Sequence, residues 1–396
     1  MFLNLSDKNF YFNFGYNSFG PILLCFTKWL LSELKNKKIK KVYFFSRDGL
    51  IIKNVFDIIN DDKEICSYYF YASRRSIVVP SLWKCTDFYS FFDRITLPNK
   101  INLKSLLKKL GLETNEYVHI IKKYNLDINY YYDVSYLKSD KSFLSVFEDL
   151  FPLIIENSKK EYTAFKEYCK KNNFFGDVAI VDIGWHGTMQ KAIEKLEIDN
   201  LNINGYYVGL IPENNTYDNK NSFGFLFDNN NGLNIYNKFK YFISIFEFLF
   251  LANHGSVKKF DNDKVVFKEY EYENKIEKEI SSNIQSGAIK FVTDNKCQKI
   301  SKEECIKNIT LNLLYPDLKT ARFFGNILFM DDEVLYIAKP KKIIHYFLNI
   351  KKLKYDFISS SWRIGFLKRI FKIPFNYYWL NELLRKIVLK EKKNEK

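Results

Sequence analysis

Val178-Ala179-Ile180-Val181-Asp182-Ile183-Gly184-Trp185-His186-Gly187-Thr188 is the stretch on which the fold turns. Four apolar residues, two of them valines, form a short buried strand ending at Asp182. A glycine-containing loop follows, and Met189, Ile193 and Leu196 then share one face of a helix. Strand, polar loop and helix in succession are the unit from which parallel sheets are built.

The same unit recurs toward the N-terminus. Lys40-Lys41-Val42-Tyr43-Phe44-Phe45 runs into Ser46-Arg47-Asp48-Gly49, after which Ile52, Val55, Phe56 and Ile59 recur at helical spacing. A further strand, Tyr68-Tyr69-Phe70-Tyr71-Ala72, ends in Ser73-Arg74-Arg75, and Gly205-Tyr206-Tyr207-Val208-Gly209-Leu210 supplies a fourth. The expected fold is therefore α/β, a mostly parallel Rossmann-like sheet with helices on both faces. Gly20 to Leu34 is apolar nearly all round and reads as a buried helix against that sheet.

Residues of about 100–172 read as a helical insertion between the second and third strands, and the Asn-rich stretch Asn214 to Asn234 as a loop or hairpin. Residues 256–340 are polar and mixed. The expected organisation is an α/β domain over 1–340 followed by a basic helical region over 341–396.

The 396 residues, 47% of them hydrophobic, suffice for a sizeable core. Six cysteines without a CxxC pair suggest neither a zinc site nor a disulfide framework, and no secretory signal or membrane-spanning run is apparent. A cytoplasmic location is the expectation. Residues 341–396 carry 15 Lys/Arg against 4 Asp/Glu, most of the net charge of +15. Such a tail suits an anionic membrane surface, a nucleic acid or plain solubility. Within it Trp362, Phe366 and Ile370 form a helical stripe flanked by Arg363, Lys368, Arg369 and Lys372, either an interfacial helix or one facing the core, ended by Pro374. No recognised nucleic-acid-binding motif accompanies the charge, so nucleic acid is not an expected partner.

Ligands of open α/β sheets bind beyond the C-terminal strand ends, where both polar loops fall. Asp182 stands there as a carboxylate for sugar hydroxyls or magnesium. Gly184 and Gly187 let backbone N–H groups approach a ligand, and Thr188 could cap the following helix and bind phosphate. The same glycines could simply make a tight turn. Arg47, Arg74 and Arg75 offer guanidinium forks for phosphate oxygens, or else surface ion pairs with Asp48. Glu247 sits alone in an aromatic run that breaks at His254-Gly255, in contact with ligand or facing water.

Phe45 to Gly49, Ser73-Arg74-Arg75, Val181 to Gly187 and Glu247 to Ser256, in that order, resemble the glycan phosphoribosyltransferase domain of bacterial polysaccharide ribofuranosyltransferases, over roughly residues 10–330. The resemblance implies transfer of 5-phosphoribose from phosphoribosyl diphosphate to a capsule or O-antigen glycan, with a separate phosphatase removing the 5-phosphate. It implies Mg²⁺ at Asp48 and Asp182, and catalytic duties among Asp48, Asp182, His186 and Glu247. The substrate-binding set becomes Ser46, Arg47, Gly49, Arg74, Arg75, Gly184, Trp185, Gly187, Thr188, Gln190 and His254. A lipid-linked acceptor would bring the protein to the inner face of the cytoplasmic membrane. The fused haloacid-dehalogenase-like phosphatase of many relatives is not expected here, because an Asp-x-Asp motif is lacking; position 50, two after Asp48, is Leu50. A phosphoester hydrolase and a non-catalytic assembly scaffold are the competing readings.

Overall fold

The structure, a computed structural model, describes residues 3–394 apart from 96, 212–219, 263, 274, 331–333 and 348. Its centre is a parallel sheet of five strands: β1 (Lys41–Phe45), β2 (Cys66–Phe70), β3 (Gly176–Trp185), β4 (Leu201–Leu210) and β5 (Ser222–Gly224), in the spatial order β2-β1-β3-β4-β5. The α/β reading holds, and the fifth strand lies inside the Asn-rich stretch expected as loop or hairpin. Part of that stretch, 214–219, falls outside the described residues.

Side-chain alternation builds the layers. Val42, Phe44, Ala179, Val181, Tyr206 and Val208 enter one core, while Tyr43, Phe45, Val178 and Ile180 enter another on the opposite face. A period of two with both faces apolar is what a sheet covered on both sides requires. The first face is covered by α1 (Gly20–Asn36), α2 (Gly49–Ile59) and the later helices Ile276–Asp294 and Lys302–Leu314. The second is covered by the C-terminal half of α3 (Lys141–Lys171), through Phe165, Tyr168 and Cys169, and by α4 (Thr188–Glu194). The insertion has its own core over residues 79–154, including Leu107, Phe147 and Leu150, so it begins earlier than its sequence suggested and shares α3 with the sheet layer.

The C-terminal region packs into the main core. Trp362 is fully buried, its indole N–H donates to the Leu313 carbonyl at 3.0 Å, and Ile364, Phe366 and Ile370 are buried beside it. The Trp362 stripe therefore faces the core and is not the interfacial face. Among the described residues no helix is long and apolar enough to cross a membrane.

The strand order fixes the place of the site. From β1 the chain goes outward to β2 on one side, and β3 then returns to the other side of β1. The C-terminal ends of β1 and β3 thus flank the switch point where helices leave to opposite faces and a crevice opens.

Candidate functional site

The Ser46–Asp48 turn leaves β1 at this crevice, and Asp182 lies within β3 beside it. A cis non-proline peptide occurs in the turn, Ser46-Arg47, and another at the end of β3, Gly184-Trp185. Ser46 is buried and fastens the β1 end to the β2 end: its Oγ donates to the Ala72 carbonyl at 2.9 Å and accepts from the Ala72 N–H at 3.1 Å. Asp48 follows, with part of its surface open. Burial raises its pKa to about 6, although Arg47 and Arg74 both pull the other way.

Asp182 is 7% exposed, and its pKa is raised well above the carboxylate range, first by burial and then by Asp48; the Ile183 N–H and Arg74 oppose this, and Glu247 adds to it. Asp182, whose pKa is raised by Asp48 and by Glu247, thus belongs to one electrostatic cluster with them. Arg74 lies within reach of both aspartates and donates no hydrogen bond among the described residues. Arg47 pairs with Glu271 at 3.2 Å, a carboxylate that local sequence did not single out.

Glu247 stands on α5 (Ile243–Leu249), where the Trp185 indole N–H donates to its Oε1 at 2.6 Å. Trp185 is held by stacking on Phe227, with ring centroids 5.9 Å apart and 9° between planes. Gln285 and Ser281 of the helix Ile276–Asp294 reach the end of α5: the Gln285 amide donates to the Leu249 and Leu251 carbonyls at 2.9 Å each, and Ser281 donates to Leu251 at 3.3 Å. These side chains satisfy carbonyls that a helix end leaves without partners.

His254 meets Tyr69, another residue not anticipated, with Nε2 2.7 Å from the phenol oxygen and Nδ1 2.8 Å from the Gly255 carbonyl. A carbonyl can only accept, so Nδ1 carries the proton and Nε2 accepts from Tyr69. Burial lowers the His254 pKa, and burial, with Tyr71 and Asp48, raises that of Tyr69. The neutral pair thus closes one wall of the crevice.

Other candidates have structural duties. Arg75 donates to Glu161 at 2.5 Å, both largely buried, and to the Gly111 carbonyl at 3.4 Å; it joins the strand layer to the insertion. Gln190 is fully buried; its Oε1 accepts from Tyr207 at 2.8 Å and Ser222 at 2.9 Å, and its Nε2 donates to Glu194 and the Asn221 carbonyl. Gly49 is buried on the Phe44 backbone. Gly184, at φ +122°, has no room for a Cβ, which would stand 1.9 Å from the Gly209 carbonyl of β4; its immediate function is close strand approach. Gly187, at φ +59°, occupies the cap position expected for Thr188, which instead begins α4. His186 is exposed at the rim.

A groove of about 710 Å³ opens alongside, lined by Leu50, Asn54, Asn253, Tyr270, Ser282 and Gln285 among others. Leu50 follows directly on the Asp48 turn and Tyr270 adjoins Glu271, so groove and crevice share a border. A second hollow of about 590 Å³, around Asn9, Asn13 and Asn312, holds none of these groups.

Among the described residues no cluster of three or more metal-ligating side chains occurs. The Asp48–Asp182 pair nevertheless suits Mg²⁺, which usually binds one or two carboxylates and completes its shell with water and substrate phosphate oxygens. No protein-family model matches the chain, and no curated protein matches it.

Proposed function

We propose that the protein is a glycosyltransferase that moves 5-phosphoribose from phosphoribosyl diphosphate to a glycan acceptor. The observation that supports this reading is the switch-point cluster, in which Asp48 lies close enough to raise the pKa of Asp182, Arg74 stands beside both, and a polar groove borders them. Arg47 and Arg74 are the diphosphate-binding groups, and Asp48 and Asp182 would hold Mg²⁺. When bound, the ion would neutralise charge gathering on the departing diphosphate. Arg75 leaves the donor-binding set because Glu161 holds it in a largely buried pair, whereas the Arg47–Glu271 pair is longer and more open.

In the reaction an acceptor oxygen bonds to C1 of the ribose as the C1–O bond to diphosphate breaks, and the hydroxyl proton passes to Glu247 or His186. Trp185 orients Glu247 through its indole N–H. The acceptor is assigned to the groove, whose amide and hydroxyl side chains suit a sugar and whose volume falls within the usual range for small-molecule sites. A capsule or O-antigen glycan carried on lipid would place the enzyme beside the inner face of the cytoplasmic membrane, with the 5-phosphate removed by another protein.

The test is incubation with phosphoribosyl diphosphate, Mg²⁺ and a panel of lipid-linked and synthetic glycan acceptors, read by mass spectrometry. A phosphopentose adduct, lost in Asp182→Asn, is the expected result. Phosphate release without any acceptor would replace the reading by hydrolysis, and absence of donor binding would remove it.

A further inference from the structure

The segment preceding the buried Trp362 presents a second surface. Residues 339–361 contain six Lys and a single acid, Asp356. The helix Ile350–Ser359 turns Leu353 and Phe357 toward the main core, while Asp356 accepts from the Tyr346 hydroxyl at 3.0 Å and pairs with Lys352. Tyr346, itself buried, thereby anchors the turn before the helix. The outward face should then be polar. Instead Tyr355 at 66% and Ile358 at 43% stand exposed there, with Ile350 at 74% at the helix's first position and Ile344 at 62% and Phe347 at 77% just before it. Lys341, Lys342, Lys351 and Lys354 are exposed among these side chains.

We infer that this face, from Ile344 to Ile358, docks on an anionic lipid surface, with Phe347 and Ile350 entering the headgroup boundary and the lysines meeting lipid phosphates. Apolar side chains interleaved with cations are the pattern of an interfacial helix. A second copy of the chain would cover the apolar groups only by bringing like-charged lysines together, which is unfavourable; an anionic membrane satisfies both. The inference rests on the reading above only for its place in the cell, since the surface is independent of the reaction.

The experiment is flotation of the full chain with vesicles of phosphatidylcholine alone or with about one third phosphatidylglycerol, at low and high salt. Expected are binding to the anionic vesicles, weakening with salt, and at least a roughly tenfold loss of partition in Phe347→Ser/Ile350→Ser, because burying one such side chain is worth about a factor of ten or more. Lys351→Glu/Lys354→Glu should lose anionic binding as well. Both pairs are exposed, so folding and donor binding should be unaffected. No binding to anionic vesicles, undiminished binding by both variants, or a concentration-dependent dimer abolished by the Phe347/Ile350 change would overturn the inference.

Discussion

Replacing Asp48 by asparagine should stabilise the ligand-free protein at neutral pH. Burial moves the Asp48 pKa from 3.8 to about 6, even with Arg47 and Arg74 favouring the charge. A shift of about two units corresponds to about 3 kcal/mol between the two protonation states. The sign follows from proton binding: between these two values the folded state holds the proton more strongly than the unfolded chain, so this contribution to stability is present below pH 3.8 and lost as pH rises through about 6. At pH about 7.5 the wild type bears the full cost and the neutral isostere does not. Removing the Asp48 charge also relieves Asp182, whose pKa it raises. We expect Asp48→Asn to be about 1–3 kcal/mol more stable than wild type at pH about 7.5, and the two proteins to converge near pH 4. Urea unfolding at both pH values, with equal m-values, measures the difference. A variant less stable than wild type at neutral pH, or a difference independent of pH, would refute the reasoning.

Arg75→Met should destabilise the fold by about 3–5 kcal/mol because it leaves Glu161 buried without its partner, and adding Glu161→Met should recover most of that loss. If Arg75 were a donor ligand instead, calorimetry would find weakened donor binding with stability unchanged. Trp185→Phe keeps the stack on Phe227 but removes the hydrogen bond to Glu247; transfer should slow by about 10–100-fold with the donor KM little altered, and an unchanged kcat would separate Glu247 from the chemistry. Mg²⁺ with donor needs Asp48 and Asp182 ionised, so binding should release protons and strengthen as pH rises through about 6. Titration calorimetry near that pH, in two buffers of different ionisation enthalpy, should give different heats, whereas equal heats would exclude the carboxylate pair as the binding locus.

The strand ends were legible because buried parallel strands read as short apolar runs and their loops as abrupt polar interruptions. Asp48 and Asp182 could be placed at one sheet edge from that pattern alone. What adjacent side chains do there was not legible. Arg74 and Arg75 read as one guanidinium pair, yet consecutive helical residues point about 100° apart, so one remains at the crevice while the other reaches Glu161. Gln190 lies on the inner face of α4, a direction that its proximity to the loop concealed. The contacts of His254 with Tyr69 and of Arg47 with Glu271 join residues 185 and 224 positions apart, which no local spacing encodes. The Trp362 stripe had the same helical period whether it met lipid or core, and only the indole bond to Leu313 decides between them. The helices covering 276–314 leave a weak signal in the sequence because their inward residues, such as Ile280, Ile284 and Ala288, are few and set among polar ones.

The charge arrangement bears on how an anionic donor enters. If all were ionised, Asp48, Asp182, Glu247 and Glu271 would outweigh Arg47 and Arg74, and a bare diphosphate would meet net repulsion. The raised pKa values of the two aspartates answer this imbalance: burial raises both, and the Asp48 and Glu247 charges raise Asp182 further. On the proposed reading, Asp48 and Asp182 would hold a divalent ion in place of those protons, its charge would turn them from repelling groups into anchors, and Arg74 would be left for phosphate oxygens. The acidic edge is therefore compatible with a phosphorylated donor delivered as its metal complex, and binding at these two carboxyl groups would be linked to pH, most strongly below about 6 for Asp48.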